Sequence, residues 1–312
     1  MKTWKKILLI LLFIVFILPY FLPAENTKAI PVKPFENSEF VIADGVSLHI
    51  RTWFSPQNNG NILLIHGLGG STFSYRNNVE ALAEAGYNVV AVDLPAFGYS
   101  DRKRNIDHSQ DNRARLLWLM IDQIEKKYDI GGDWILTGHS MGASTTISMA
   151  NQREEKIRAL GFIDGAVSGA HRSSFLFNIP SVGQWMKVIL KNFVVNEKNV
   201  TNFLTSAYNR IPEEDELFGY YDPFTIKGTF GAWVDFLRTA KNLNIEDLKS
   251  KDIPVIVLWG DDDEWVSVDT VGIIESTVPN TLVYIFEGEG HCPNETSPLF
   301  NEKMIELLNQ LP

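Results

Sequence analysis

The sequence predicts an α/β chain built on a doubly wound, mostly parallel sheet, and three observations carry that expectation. Six short, bounded runs are nearly all apolar, as strands buried on both faces of a parallel sheet are. Stretches with helical patterning alternate with them, which is the signature of βαβ units. Glycine-rich turns close several runs, at the strand ends where open α/β sheets bind their ligands.

The elements follow in order. Residues 46–53 alternate apolar and polar side chains, as a half-exposed strand does. The buried runs are 61–66, 87–93, 134–137, 159–164, 254–259 and 281–286, with helices expected over 75–85, 109–128, 141–152, 268–277 and 297–311. Between about Gly165 and Lys251 the alternation lapses, and the chain carries thirteen aromatics from Phe175 to Phe236. A helical lid of approximately 165–250, inserted after the sixth strand and packed over the sheet's C-terminal edge, is the expectation.

Composition narrows the function classes. The 312 residues carry 28 Lys+Arg against 38 Asp+Glu, a formal net charge of −10, which argues against a nucleic-acid partner needing a basic face. With 45% hydrophobic and 21% charged residues the chain is ordinary globular material. One cysteine, Cys292, excludes an intramolecular disulfide and a cysteine-based zinc site.

The N-terminus departs from this average. Three lysines within the first six residues precede twelve unbroken apolar residues from Ile7 to Leu18, and the apolar stretch reaches Leu22 if Pro19 is tolerated. That length is roughly 24 Å as helix, a little short of a bilayer core of roughly 30 Å. The expectation is a signal or anchor segment over 1–23, with the membrane as partner and the catalytic domain held outside the cytoplasm. Secretion after cleavage near Ala24 is the alternative. Residues 24–38 then read as a linker and 39–312 as the folded domain.

The chemistry sits at strand ends. Gly138-His139-Ser140-Met141-Gly142 follows one buried run and opens a helix, which is G-x-S-x-G in the strand–turn–helix setting that exposes a serine hydroxyl. His66-Gly67-Leu68-Gly69-Gly70 follows an earlier run, and its turn presents backbone N–H groups. The amides of Leu68 and Met141 are the candidate donors to a developing oxyanion. His66 and Asp93 stand at strand ends before turns and read as structural, while His139, beside the serine, is expected to point away from it.

Taken together, His66-Gly67, Asp93 with Gly98-Tyr99-Ser100, Gly138–Gly142, Trp259-Gly260-Asp261-Asp262-Asp263 and Gly290-His291 resemble, in order, the motifs of the α/β-hydrolase superfamily, closest to its capped, single-domain serine esterases and hydrolases. The resemblance covers about Phe40 to Pro312. It implies an α/β-hydrolase fold and a chain order of nucleophile, acid, histidine that Ser140, Asp263 and His291 satisfy. Ala96 departs from a glycine found in many relatives, at a packing position. Asp263 stands three residues after Gly260, where the motif places its acid. Asp164, at the end of an earlier run, is a position some members use instead. The expected function is hydrolysis of a carboxylic ester of apolar character, with no cofactor and no metal. Amide, thioester or carbon–carbon cleavage by the same residues is the alternative, and a non-catalytic binding module a further one. The lid carries no motif that names a substrate.

Overall fold

A computed structural model describes residues 3–167, 175–241 and 243–312. His171, one of the six histidines, lies outside them. Eight strands form one sheet: β1 (Ser38–Ala43), β2 (Val46–Trp53), β3 (Asn61–Ile65), β4 (Asn88–Val92), β5 (Trp134–His139), β6 (Ile157–Ile163), β7 (Val255–Gly260) and β8 (Thr281–Phe286). Their spatial order is β1-β2-β4-β3-β5-β6-β7-β8. The β1–β2 and β2–β4 pairings are antiparallel and the rest parallel.

Eleven α-helices accompany the sheet among the described residues: α1 (Thr3–Phe16), α2 (Val79–Glu84), α3 (Gln110–Tyr128), α4 (Met141–Gln152), α5 (Pro180–Ile189), α6 (Glu197–Tyr208), α7 (Glu214–Phe224), α8 (Thr229–Thr239), α9 (Asp269–Thr277), α10 (Pro293–Thr296) and α11 (Phe300–Leu308). The unbroken apolar strands make sense in this setting, because each must satisfy two cores at once. In β3, Leu63 and Ile65 join the cluster under α3 and α4, while Ile62 and Leu64 join the one under α2 and α11. Period-two side chains on a strand covered from both sides leave few positions for a polar residue. Helices α5–α8 form the lid that follows β6.

Two expected helices break where local chemistry competes. Residues 75–85 divide into a 3₁₀ turn at Thr72–Tyr75 and the shorter α2, since Asn78 turns its side chain to the Asn294 carbonyl and Asn301. The C-terminal helix starts at Phe300 and not at 297, because Pro298 disfavours helical geometry before it.

The N-terminal expectation needs correction. α1 is fourteen residues, about 21 Å of helix, and no helix among the described residues is long and apolar enough to cross a membrane. Beyond it, a 3₁₀ turn at Leu18–Phe21 containing Pro19 redirects the chain, and the following residues lie against the lid. Gln184 donates to the Pro19 carbonyl (3.2 Å), Trp185 Nε1 to Val15 (3.2 Å) and Asn192 to Pro23 (2.9 Å). Asn26 donates to the Phe224 carbonyl at 2.7 Å, and Lys28 pairs with Asp222. The membrane-spanning anchor, with the membrane as partner and the extracytoplasmic placement that rested on it, is therefore not supported.

Candidate active site

Ser140 lies between the last residue of β5 and the first of α4, with φ +49° and ψ −118°. A side-chain-bearing residue held at positive φ is strained, and the surrounding backbone enforces it. A Cβ on Gly138 would sit 2.3 Å from the Gly142 carbonyl carbon, and one on Gly142 would sit 2.2 Å from the Ile65 carbonyl oxygen. Only glycine at both positions lets β5, α4 and β3 pass this closely. The Ser140 amide is meanwhile spent on the Ile163 carbonyl (2.9 Å).

The loops after β7 and β8 bring Asp263 and His291 together. His291 Nδ1 lies 2.7 Å from Asp263 Oδ2, with both side chains buried. The other carboxylate oxygen, Oδ1, accepts the amides of Trp265 (2.7 Å) and Val266 (3.1 Å). Burial alone would raise the Asp263 pKa. The hydrogen bond and charge of His291, with the two amides, outweigh it and hold the carboxyl below its usual range. The acid is thereby kept ionised against the ring it orients. The Trp265 indole covers that ring, 4.9 Å between centroids at 30°.

Asp164 stands close by, its ligand atoms and those of Asp263 and His291 lying within 4.8 Å of one another. Its Oδ1 accepts the Gly260 amide at 3.0 Å. Burial and the neighbouring Asp263 charge push its pKa well up, which favours the neutral form. These three are the described residues whose ligand atoms converge enough to consider a metal, but the 2.7 Å hydrogen bond already engages Nδ1 and Oδ2.

His49, His66 and His139 have settled partners. His66 Nε2 accepts the Leu94 amide (3.0 Å) and its Nδ1 donates to the Gly67 carbonyl (2.7 Å). Burial depresses its pKa to about 4. Asp93 accepts from the amides of Thr72 and Tyr99 and from His49, pinning the turn after β4. His139 does more than point away from the serine. Its Nε2 donates to the His291 carbonyl at 2.7 Å, fixing the loop that carries His291. Burial depresses its pKa to about 3, so it stays a neutral donor. Nothing in sequence spacing signals this contact, since 152 residues separate the partners.

Ser140, His291 and Leu68 share the lining of a cavity of about 220 Å³, closed above by Phe203 and Leu204 of α6 and Tyr220 of α7. Met141 opens α4, and a helix's first amides have no acceptor within the helix. A second cavity of about 650 Å³ adjoins the first, sharing Leu68, Phe203, Tyr220 and Trp265 with it. Neither is lined by a lysine or arginine among the described residues.

A serine on a strained strand-to-helix turn, lining one cavity with a histidine that is hydrogen-bonded to a buried carboxylate, is the arrangement expected of one class of hydrolase. The family model for the alpha/beta hydrolase fold matches residues 60–298, and the chain belongs to that family. It is similar to the uncharacterized hydrolase YugF of Bacillus subtilis (strain 168), 26% identical over 271 residues covering 85% of this chain and 95% of the relative. It is also 25% identical over 287 residues, 86% of this chain and 94% of the relative, to the 2-hydroxy-6-oxononadienedioate/2-hydroxy-6-oxononatrienedioate hydrolase of Burkholderia vietnamiensis (strain G4 / LMG 22486). Among solved structures, a serine hydrolase involved in carbazole degradation superposes with a TM-score of 0.71 at 22% identity, covering 88% of this chain and 98% of the other. The protein is an α/β-hydrolase enzyme.

Proposed function

We propose that the enzyme hydrolyses a carboxylic ester of apolar character, with Ser140 as nucleophile, His291 as general base and acid, and Asp263 as the group that orients the imidazole. His291 accepts the Ser140 proton as the hydroxyl oxygen attacks the ester carbonyl. The amides of Leu68 and Met141 receive the oxyanion of the tetrahedral intermediate. Collapse expels the alcohol, which takes the proton from His291 and leaves an acyl group on Ser140. Water, deprotonated by the same imidazole, then releases the acid.

The observation that supports the apolar ester reading is the lining of the two adjoining cavities, which is mainly aromatic and aliphatic, with Asn199, Asn202 and Ser206 as polar members of the larger one, and which includes no lysine or arginine among the described residues. An apolar substrate gains up to about 0.8 kcal/mol per buried CH₂ there. A dioate, the substrate in the Burkholderia relative's name, would bring two carboxylates into this site, where no described residue of the lining offers a guanidinium or ammonium, and that is costly. That same relative supports a second reading, carbon–carbon bond hydrolysis on the same residues.

A panel of p-nitrophenyl esters from acetate to medium chain tests the proposal, together with the Ser140→Ala variant. kcat/KM should rise with acyl length, and Ser140→Ala should lower kcat at least about 10³-fold with the fold intact. Ester turnover retained by pure, folded Ser140→Ala would end the serine-hydrolase reading, and a profile falling steadily from acetate would end the apolar one.

A further inference from the structure

We propose that Glu295 is a positioning residue, through which lid helices α6 and α7 set the loop that carries His291. This inference rests on the hydrolase reading of Ser140 and His291 given above.

Glu295 lies four residues after His291, on the single turn of α10, and its carboxylate is wholly buried. Three groups from three elements converge on it. Arg76, from the chain just after β3 and its turn, donates to Oε2. The Tyr208 hydroxyl, on the last residue of α6, donates to the same oxygen at 2.7 Å. The Tyr220 hydroxyl, from the middle of α7, donates to Oε1 and also lies 2.8 Å from Ser74 Oγ in the cavity wall. Arg76 reaches back to the lid as well, pairing with Glu216 of α7 at 3.0 Å.

A buried carboxylate of this kind is stable only while its partners stay in place. Burial pushes the Glu295 carboxyl up, opposed by the Arg76 charge and by the hydroxyls and guanidinium that hydrogen-bond to it. Lifting α6 and α7 would strip away both tyrosines and leave Arg76 as the sole partner, a costly state for a charge out of water. Lid seating and carboxylate burial are therefore one event.

The end of α6 also touches the dyad's loops directly. Ser206 Oγ accepts the indole N–H of Trp265 at 2.9 Å, and Trp265 lies over the His291 ring. Asn209 donates to the Asp262 carbonyl at 3.4 Å. Gly290 packs so tightly under this turn that a Cβ there would stand 2.6 Å from the Ala207 carbonyl oxygen. Four successive lid residues, 206–209, thus meet the acid loop, the histidine loop and Glu295. A displacement of about 1 Å in a catalytic group can cost on the order of 10²-fold in rate, so a lid that fixes these loops fixes the rate.

The test compares a compact fluorophosphonate with a medium-chain ester on the full chain. Phosphonylation of Ser140 needs the His291 dyad but little of the lid cavity, whereas the ester needs both. Glu295→Gln should lower kcat and the phosphonylation rate together, about tenfold or more, with KM changed less than about twofold. Tyr208→Phe should give a smaller loss of the same kind, and the double variant should be no worse than Glu295→Gln alone, as expected of residues acting as one unit. If Glu295→Gln does not fold, Tyr208→Phe and Ser206→Ala carry the same comparison. A rise in KM with kcat and phosphonylation at wild-type levels would overturn the proposal, because Glu295 would then only shape the cavity. Failure of the wild-type protein to label at Ser140 is a separate outcome, which overturns the hydrolase reading and this one with it.

Discussion

Two buried carboxyls flank His291, and exchanging each for its amide should separate them sharply. In Asp263→Asn the side-chain oxygen is expected to keep the two backbone donors, Trp265 and Val266, that now bond to Oδ1. The amide nitrogen then faces His291 Nδ1 and can only donate to it. The imidazole is forced to carry its proton on Nε2, the wrong tautomer for accepting the Ser140 proton. A loss approaching about 10⁴-fold in kcat follows, equivalent to about 5 kcal/mol of transition-state stabilisation. Burial and the Asp263 charge favour the neutral form of Asp164, and in that form Asp164→Asn replaces a protonated carboxyl with a group of the same shape and charge. Its Oδ1 can still accept the Gly260 amide. A loss of no more than about tenfold is expected. Steady-state turnover of a p-nitrophenyl ester, with circular dichroism as a check on folding, measures both. A collapse of activity in Asp164→Asn with Asp263→Asn near wild type would refute the assignment and move the acid to the end of β6.

Gly142→Ala should cost both stability and rate, since its Cβ would meet the Ile65 carbonyl oxygen at 2.2 Å and backbone must move. A thermal midpoint lowered by the equivalent of about 1–3 kcal/mol and kcat/KM down about 10²-fold are expected, and unchanged values in both would contradict the close crossing at the elbow. The protein should also be acid-sensitive. Burial depresses His66 to about 4 and His108 and His139 to about 3, below the ordinary 6.5. Between those values the unfolded chain binds more protons, so stability is present above about pH 6.5 and is lost as pH falls toward 4. His108, whose ring nitrogens have no partner, should be dispensable. Urea midpoints at pH 7 and pH 5 should show His108→Leu at least as stable as wild type and less acid-sensitive; an unchanged pH dependence would argue that His108 is not buried neutral.

The sheet was legible because a strand covered on both sides is apolar at nearly every position, and β3 to β7 read as such runs, with polar residues such as Asn61, Asn88 and His139 at their ends. The first strand, Ser38–Ala43, is different: an edge strand with mixed burial, it gives no clear run. The elbow was legible for a related reason, since the glycines at 138 and 142 are demanded by backbone and not by taste. Asp263 and His291 could be placed by motif and chain order. What no spacing could reveal are contacts made across the fold: His139 holding the His291 carbonyl, Asp164 favoured in its neutral form beside Asp263, and Glu295 collecting two lid tyrosines. The apolar run from Ile7 to Leu18 misled because composition reports hydropathy and not helix length: α1 stops after fourteen residues, ahead of the turn that holds Pro19.

The lid is fastened on several sides, which limits the ways it could open. On one flank the N-terminal residues bind α5 and the residues around α7, through Gln184, Asn192 and the Phe224 carbonyl. On another the turn at 206–209 and Glu295 tie α6 and α7 to the catalytic loops. Wholesale lifting of the lid would break all of these at once. The larger cavity offers a path that breaks none of them. Phe193 and Val194, in a short π-helical turn at Leu190–Val194 between α5 and α6, line that cavity and are exposed on the outside. An apolar chain entering past them would run toward Phe203 and Trp265, the wall shared with the smaller cavity that Ser140 and His291 line. Phe193, Val194 and Phe203, which line that path, sit on lid elements that carry no motif, while Ser140, Asp263 and His291 sit at strand ends whose spacing can be read.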